Sequence, residues 1–341
     1  MDILIKSYNR PYYLDRCLFS INKHVIIGNG KIIVLDDGTP QIYLDKIAEK
    51  YPNIILKKSE FYEKKVQFTT EGKRPKKYSI PINLWIDSAK NASENFILIE
   101  DDTWFIDAIN LDEVDAEITQ NNVVLTKLYW IGNSIINQNK KETPLKNIVL
   151  LKPKLLSTIP ALYYFIFYKF DRFKIRKTVR FFKINTDERQ LAYRTIYAVA
   201  GMIFNKNYFA KLWDNHQNYV DEGLQIYNAV KILNKQKDTI KFARYHHEIL
   251  RTGFMSAATN QHKEEYVGNV DMFAFNKLIN EAWYQNQLDV ISSLPNDINA
   301  QEIIKILDNF SEKTISSKDW LSWVASFKES YLKLGCKGLI L

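Results

Sequence analysis

Between Asn95 and Thr103 the chain reads Asn-Phe-Ile-Leu-Ile-Glu-Asp-Asp-Thr, an apolar run of strand length that stops at three consecutive acids. A short continuous hydrophobic run is how a parallel strand buried on both faces reads. In open α/β sheets, ligands bind just beyond the carboxyl ends of such strands. Carboxylates delivered there by a rigid strand repel one another unless a cation sits between them. Hard oxygen ligands of this kind suit magnesium or manganese, which then take up substrate phosphates. A solvated acidic turn is the plainer reading, and the triplet alone does not separate the two.

The preceding residues set that strand in an alternating pattern. Ile3-Leu4-Ile5 is a short strand broken by Arg10-Pro11, after which Leu14, Leu18 and Ile21 recur at helical spacing. Lys31 to Leu35 reads as a second strand closed by Asp36-Asp37-Gly38-Thr39, and Leu44 and Ile47 mark a second helix. Asn53 to Leu56 is a third strand, and Pro81 to Ala92 a helix with Ile82, Trp85, Ile86 and Ala89 on one face. Strand and helix alternating at these lengths predict an α/β fold with a parallel sheet and right-handed crossovers. The second and fourth strands both end in paired aspartates, which is more specific than either pair alone.

At 341 residues and 46% hydrophobic, the chain can bury a real core, as one large domain with an appendage or as two domains. Two cysteines, Cys17 and Cys336, offer neither a disulfide framework nor zinc spacing and fit a reducing compartment. No apolar core of a signal peptide and no membrane-spanning run is evident, so the expectation is a cytoplasmic protein, soluble or peripheral on the inner face of a membrane. The net charge of +8 asks for an acidic partner. Basic residues concentrate at 169–183, directly after an apolar aromatic segment, and at 64–77, which reads as a loop.

Ile5-Lys6-Ser7-Tyr8-Asn9-Arg10-Pro11, Val34-Leu35-Asp36-Asp37-Gly38-Thr39 and Glu100-Asp101-Asp102 together resemble the family-two-like glycosyltransferases with the GT-A fold. The resemblance covers roughly residues 1–250. It implies a Rossmann-like mixed, mostly parallel sheet flanked by helices, with a C-terminal helical extension. Ser7, Tyr8, Asn9, Arg10, Asp36, Asp37, Asn83 and Asp101 would then hold a nucleotide sugar, and Asp102 with Glu100 would ligate Mn2+ or Mg2+. The family's spaced acid pair falls here on Glu100 and Asp102, so which of the three acids faces the metal stays open. Sugar-nucleotide pyrophosphorylases share a similar sheet, but their glycine-rich loop after strand one has no counterpart in Ser7 to Pro11.

The second half is similar more loosely. Ala198 to Lys206 resembles the acceptor-side strand, where Gly201 would let the sugar approach the backbone. Asp221-Glu222, before an apparent helix, stands where inverting members place their general base, with Asp221 favoured; a capped helix start reads the same way. His246 or His247 could complete a metal shell, as a late histidine does in some GT-A enzymes, and Arg251-Thr252-Gly253 reads as a phosphate-facing loop.

The aromatic and basic stretch 155–183 reads either as an interfacial element for an anionic membrane surface or as a buried helix with a solvated tail. From about Val270 the pattern is helical, with Asn299-x-x-Glu302 as a capping box and Ser311 or Ser317 as further caps. The expected organisation is a transferase domain over 1–265 (donor half 1–105, acceptor half 106–265) and a helical region over 266–341, open to homodimer contact. The expected activity is metal-dependent transfer, inverting, from a nucleoside diphosphate sugar to a glycan or lipid-linked acceptor in surface polysaccharide or glycoconjugate synthesis. Nucleic acid is not an expected partner. The rival is a basic membrane or nucleic-acid-binding module on a degenerate transferase fold.

Overall fold

The protein is described by a computed structural model covering residues 1–71, 79–168, 186–216, 219–236, 239–259, 266–268, 270–309 and 315–339. In chain order its strands are β1 (Asp2–Ser7), β2 (Val25–Ile26), β3 (Ile32–Asp36), β4 (Ile54–Lys58), β5 (Asn95–Glu100), β6 (Thr103–Phe105), β7 (Ile109–Asn110), β8 (Val123–Lys127), β9 (Asn139–Pro144), β10 (Ile148–Pro153), β11 (Met202–Asn205), β12 (Lys241–Tyr245) and β13 (Leu250–Thr252). Nine of these described strands form one sheet in the order β4-β3-β1-β5-β11-β8-β12-β10-β9, while β13 pairs with β6 and β2 with β7. β11 and β10 run against their neighbours and the remaining strands share one direction, so the sheet is mixed and mostly runs one way.

Ten helices of seven residues or more cover this sheet among the described residues: α1 (Pro11–His24), α2 (Gln41–Lys50), α3 (Tyr62–Thr70), α4 (Ile82–Lys90), α5 (Leu111–Gln120), α6 (Lys206–Leu212), α7 (Glu222–Gln236), α8 (Met272–Tyr284), α9 (Ala300–Asn309) and α10 (Ser317–Lys333). The chain steps outward from β1 to β3 to β4, then returns through α3 and α4 to lay β5 on the other side of β1. That reversal opens a crevice at the carboxyl ends of β1 and β5. The register there sets Lys6 against Glu100 and Ser7 against Asp36.

The period of two along β5 explains why it sits centrally. Phe96 and Leu98 join one apolar cluster with Ile86, Phe209 and Val230; Ile97 and Ile99 join the other with Leu14, Ile47 and Trp320. The second cluster also takes in Phe275, Trp283 and Trp323, so the C-terminal helices share their core with α1 and α2. Arg16 of α1, fully buried, fastens the segment before α9 by donating to the carbonyls of Val290 and Asn296. Asn299 caps α9, accepting from Gln301 N at 3.0 Å, while Glu302, the expected return arm of a capping box, keeps a buried oxygen without a hydrogen-bond partner. The cap of α10 is Ser316, one residue before the expected Ser317.

Two further expectations change. The 64–77 stretch begins as helix α3, which carries Lys65 inward, and 72–78 lie outside the described residues. The segment before the basic cluster is a short helical turn, Pro160–Tyr163, continued as a π-helical turn, Tyr164–Tyr168; the cluster at 169–183 is itself outside the described residues. Among the described residues no helix is long and apolar enough to cross a membrane. Because Leu98 is buried in the strand both clusters share, Leu98→Ala should cost about 2–5 kcal/mol in urea unfolding. A cost below about 1 kcal/mol would show that β5 is not the centre of the core.

Candidate functional site

β1 ends at Ser7, and the chain must turn sharply to start α1 at Pro11. Asn9 makes the turn with φ 52°, a left-handed conformation that asparagine tolerates. Its N–H donates to Thr39 Oγ1 at 2.9 Å, and Asn280 Nδ2 donates to its carbonyl at 3.1 Å and its Oδ1 at 3.0 Å. The turn aims Arg10 across the end of β1 at the acids of β5. Arg10 Nη2 meets Asp101 Oδ1 at 2.5 Å, and Nη1 meets Asp102 Oδ2 at 2.8 Å. Tyr8 N–H also donates to Asp101 Oδ2 at 3.1 Å, and Lys6 Nζ lies 2.8 Å from Glu100. All three acids of the triplet therefore face cations supplied by the chain itself.

The aspartates after β3 divide their work. Asp36, fully buried, accepts from Gly38 N (3.0 Å), Thr39 N (2.8 Å) and Thr39 Oγ1 (2.6 Å), which fastens the turn. Asp37 accepts from Ser59 Oγ at 2.6 Å, pairs with the Lys65 ammonium, and lines a cavity. That cavity, about 270 Å³, lies at the β1–β5 crevice between Asp37, Lys65, Lys6, Arg10, Trp85 and Asp101. Burial pushes Asp37 up to about 6 despite Lys65 and Ser59. It also raises Asp101, against the pull of Arg10, and Asp102, where Glu100 and Asp297 add repulsion. Glu100 is instead held down by Lys6. Burial works against the Arg10 charge, yet Asp101 and Asp102 hold its guanidinium above the usual arginine range.

For a divalent cation the donor set is spare. Among the described residues, no three His, Cys, Asp or Glu side chains gather where they could hold a metal ion. One oxygen is nevertheless left over: Asp102 Oδ1 is buried with no hydrogen-bond partner. Asp102 thus fits a cation that takes one or two carboxylates and completes its shell with water and substrate phosphate.

The other predicted residues sit elsewhere. Asn83 points away from the cavity, exposed and 3.4 Å from Glu60, because α4 turns Trp85 inward instead. Gly201, at φ +75°, packs on Tyr129: a Cβ there would meet the ring at 1.8 Å, so its missing side chain makes room for an aromatic. Asp221 Oδ1 accepts from Leu224 N at 2.9 Å at the start of α7, and its Oδ2 accepts from the Tyr168 hydroxyl at 2.8 Å. Glu222 pairs with Arg194. Neither carboxylate lines the cavity of Asp37 and Asp101. His246 and His247 follow β12 in a bend, not on a strand; His246 contacts the carbonyls of Leu145 and Lys146, and His247 meets Asp107 at 2.8 Å. Neither joins the acid triplet. Arg251 and Thr252 are paired strand residues, where the sequence suggested a loop.

Lys6, Lys65 and Trp85 line the cavity without having been singled out as site residues. Lys6 had a visible signal, a charge directly after Ile3-Leu4-Ile5 in a strand otherwise buried. Lys65 had none, since one lysine among several in a basic stretch does not announce burial.

Neither a family model nor a curated protein matches the chain. Solved structures do. S. aureus TarS 1–349 in complex with UDP-GlcNAc is 12% identical, over 97% of this chain and 72% of that one, with a TM-score of 0.37. The bifunctional glycosyltransferase WbbM is 13% identical over 98% and 51%, at 0.35. The mannosyltransferase PcManGT from Pyrobaculum calidifontis, in complex with GDP-Man and Mn2+, is 13% identical over 40% and 39%, at 0.28. At such scores these likenesses say nothing of what this chain binds.

Arg10 is the residue on which the buried acids depend. Arg10→Met should destabilise the protein by about 3–5 kcal/mol, since it strands two buried carboxylates. Adding Asp101→Asn should recover part of the loss in a double-mutant cycle. Strict additivity would mean that the pair is not coupled.

Proposed function

We propose that the chain is a glycosyltransferase that draws a sugar from a nucleoside diphosphate donor with the help of a divalent cation. The observation that carries this reading is the cavity at the β1–β5 crevice, where carboxylates and cations stand face to face. Asp37 and Asp101 supply acceptors for the hydroxyl and N–H donors of a ribose and base. Lys6, Arg10 and Lys65 supply positive charge for a diphosphate, and Trp85 a flat apolar wall. A divalent ion held by the unpartnered Asp102 Oδ1 would neutralise the charge that develops on the leaving diphosphate. Binding phosphate oxygens would also compete with the acids for Arg10, freeing Asp102 further.

Transfer with inversion needs a base for the acceptor hydroxyl. Asp221 is our candidate, because Glu222 is committed to Arg194 whereas, among the described residues, Asp221 Oδ2 accepts from a tyrosine hydroxyl alone. The acceptor we favour is a glycan or lipid-linked saccharide, as in surface polysaccharide synthesis. The exposed Ile159, Leu162 and Phe165, just ahead of the basic cluster, support docking on an anionic membrane.

Two measurements test this. Calorimetric titration of UDP and GDP with manganese should show binding that Asp102→Asn weakens at least tenfold; no manganese-dependent binding of either nucleotide would sink the proposal. An ionised Asp37 accepts a donor's hydrogen bond more strongly than a protonated one, so nucleotide affinity should fall as the pH drops below about 6. Asp37→Asn should flatten that profile, and an unchanged profile would remove Asp37 from the contact.

A further inference from the structure

A second and larger cavity, about 440 Å³, lies along the same chain segment as the first but shares none of its lining residues. Asp101 lines the first, and Trp104, three residues on, lines the second. The second cavity is lined by the β6–β13 pair, in which Thr103 opposes Thr252 and Trp104 opposes Arg251, and Gly253 N–H, just after β13, donates to the Asp102 carbonyl at 2.8 Å. The pocket is therefore one strand residue away from the acid triplet, on the side facing α10.

Its chemistry is uneven in a telling way. Trp104, Tyr129 and Phe254 provide aromatic surface, and the charged residues are Glu248, Asp297, Arg251 and Lys328. Both carboxylates are already spent. Glu248 accepts from the backbone N–H groups of Trp130 and Gly132. Asp297 accepts from Phe254 N (2.7 Å), Ile298 N (2.8 Å) and the Tyr13 hydroxyl (2.9 Å). The cations are not. Among the described residues, the Arg251 side chain makes one hydrogen bond, Nη1 to Asn296 Oδ1 at 3.2 Å, and Lys328 meets no carboxylate. What is left to recognise a ligand is a guanidinium, an ammonium and aromatic faces. Ligand sites commonly combine aromatic lining with a few polar anchors, and a guanidinium holds phosphate or carboxylate bidentately.

We propose that this cavity is the acceptor subsite and that it binds a saccharide bearing an anionic group, phosphate or carboxylate, through Arg251 and Lys328. The proposal rests on the glycosyl-transfer reading of the neighbouring cavity. It adds the acceptor's charge, which that reading leaves open, and it explains why β13 brings an arginine to the wall beside the triplet.

The test is calorimetric titration of the full chain with glucose, glucose 6-phosphate, glucuronate and inorganic phosphate, alongside UDP and GDP with manganese. The phosphosugar or the uronate should bind at least tenfold tighter than glucose and than inorganic phosphate. Arg251→Gln with Lys328→Gln should abolish that preference and leave nucleotide affinity within twofold. Lys328→Glu alone, a change of one partly exposed residue, serves if the double variant fails to fold, and should reverse the preference. Equal binding of the charged and neutral sugars, or a phosphate signal as strong as the phosphosugar's, would overturn the proposal while nucleotide binding leaves the transfer reading intact. Anionic sugar binding without any nucleotide binding would overturn the acceptor assignment together with the transfer reading.

Discussion

The site depends on one register: β5 lying parallel to β1 so that Lys6 stands opposite Glu100. Once that pairing is set, the next residues of each strand have little freedom. Tyr8 N–H reaches Asp101, the Asn9 turn sends Arg10 across the strand ends, and its two nitrogens take Asp101 and Asp102 together. A slip of one residue would send every side chain of β5 to the other face, breaking both apolar clusters and all of these ion pairs at once.

Buried ion pairs of this kind are seldom a net gain in stability, because desolvation offsets most of the attraction. Their value here is positional. Arg10 keeps two adjacent, largely buried carboxylates together, and Lys65 holds Asp37 on the neighbouring strand end. The result is a cavity with charge of both signs already in place. The C-terminal helices serve the same end from the other side, since Asn280 of α8 clamps the Asn9 turn and Arg16 ties the 290–296 segment to α1.

Much of this was legible in the residues. The alternation of apolar runs and helical stripes over the first hundred positions corresponds to β1, α1, β3, α2, β4, α4 and β5, because each element buries its own periodic face. The strand-end aspartates announced a polar crevice. Single residues on helices were less legible. Asn83 and Trp85 share one helix, and which faces the cavity depends on a rotation set by packing against Trp213 and the sheet. Gly201 stood out as a glycine near an acceptor, yet the reason for it is the ring of Tyr129, more than 70 positions away in sequence.

By itself the sequence determined the α/β class, the strand ends that carry carboxylates and the helical C-terminal region, because those follow from local periodicity and from charges that cannot enter a core unpaired. Only the tertiary structure decided the partners of those charges. Lys6, Arg10 and Lys65 meet Glu100, Asp101, Asp102 and Asp37 across distances of 28 to 94 positions, and Asp102 Oδ1 is among the buried atoms left without a partner. Pairing over such separations is fixed by strand order and register, which no window of local sequence contains.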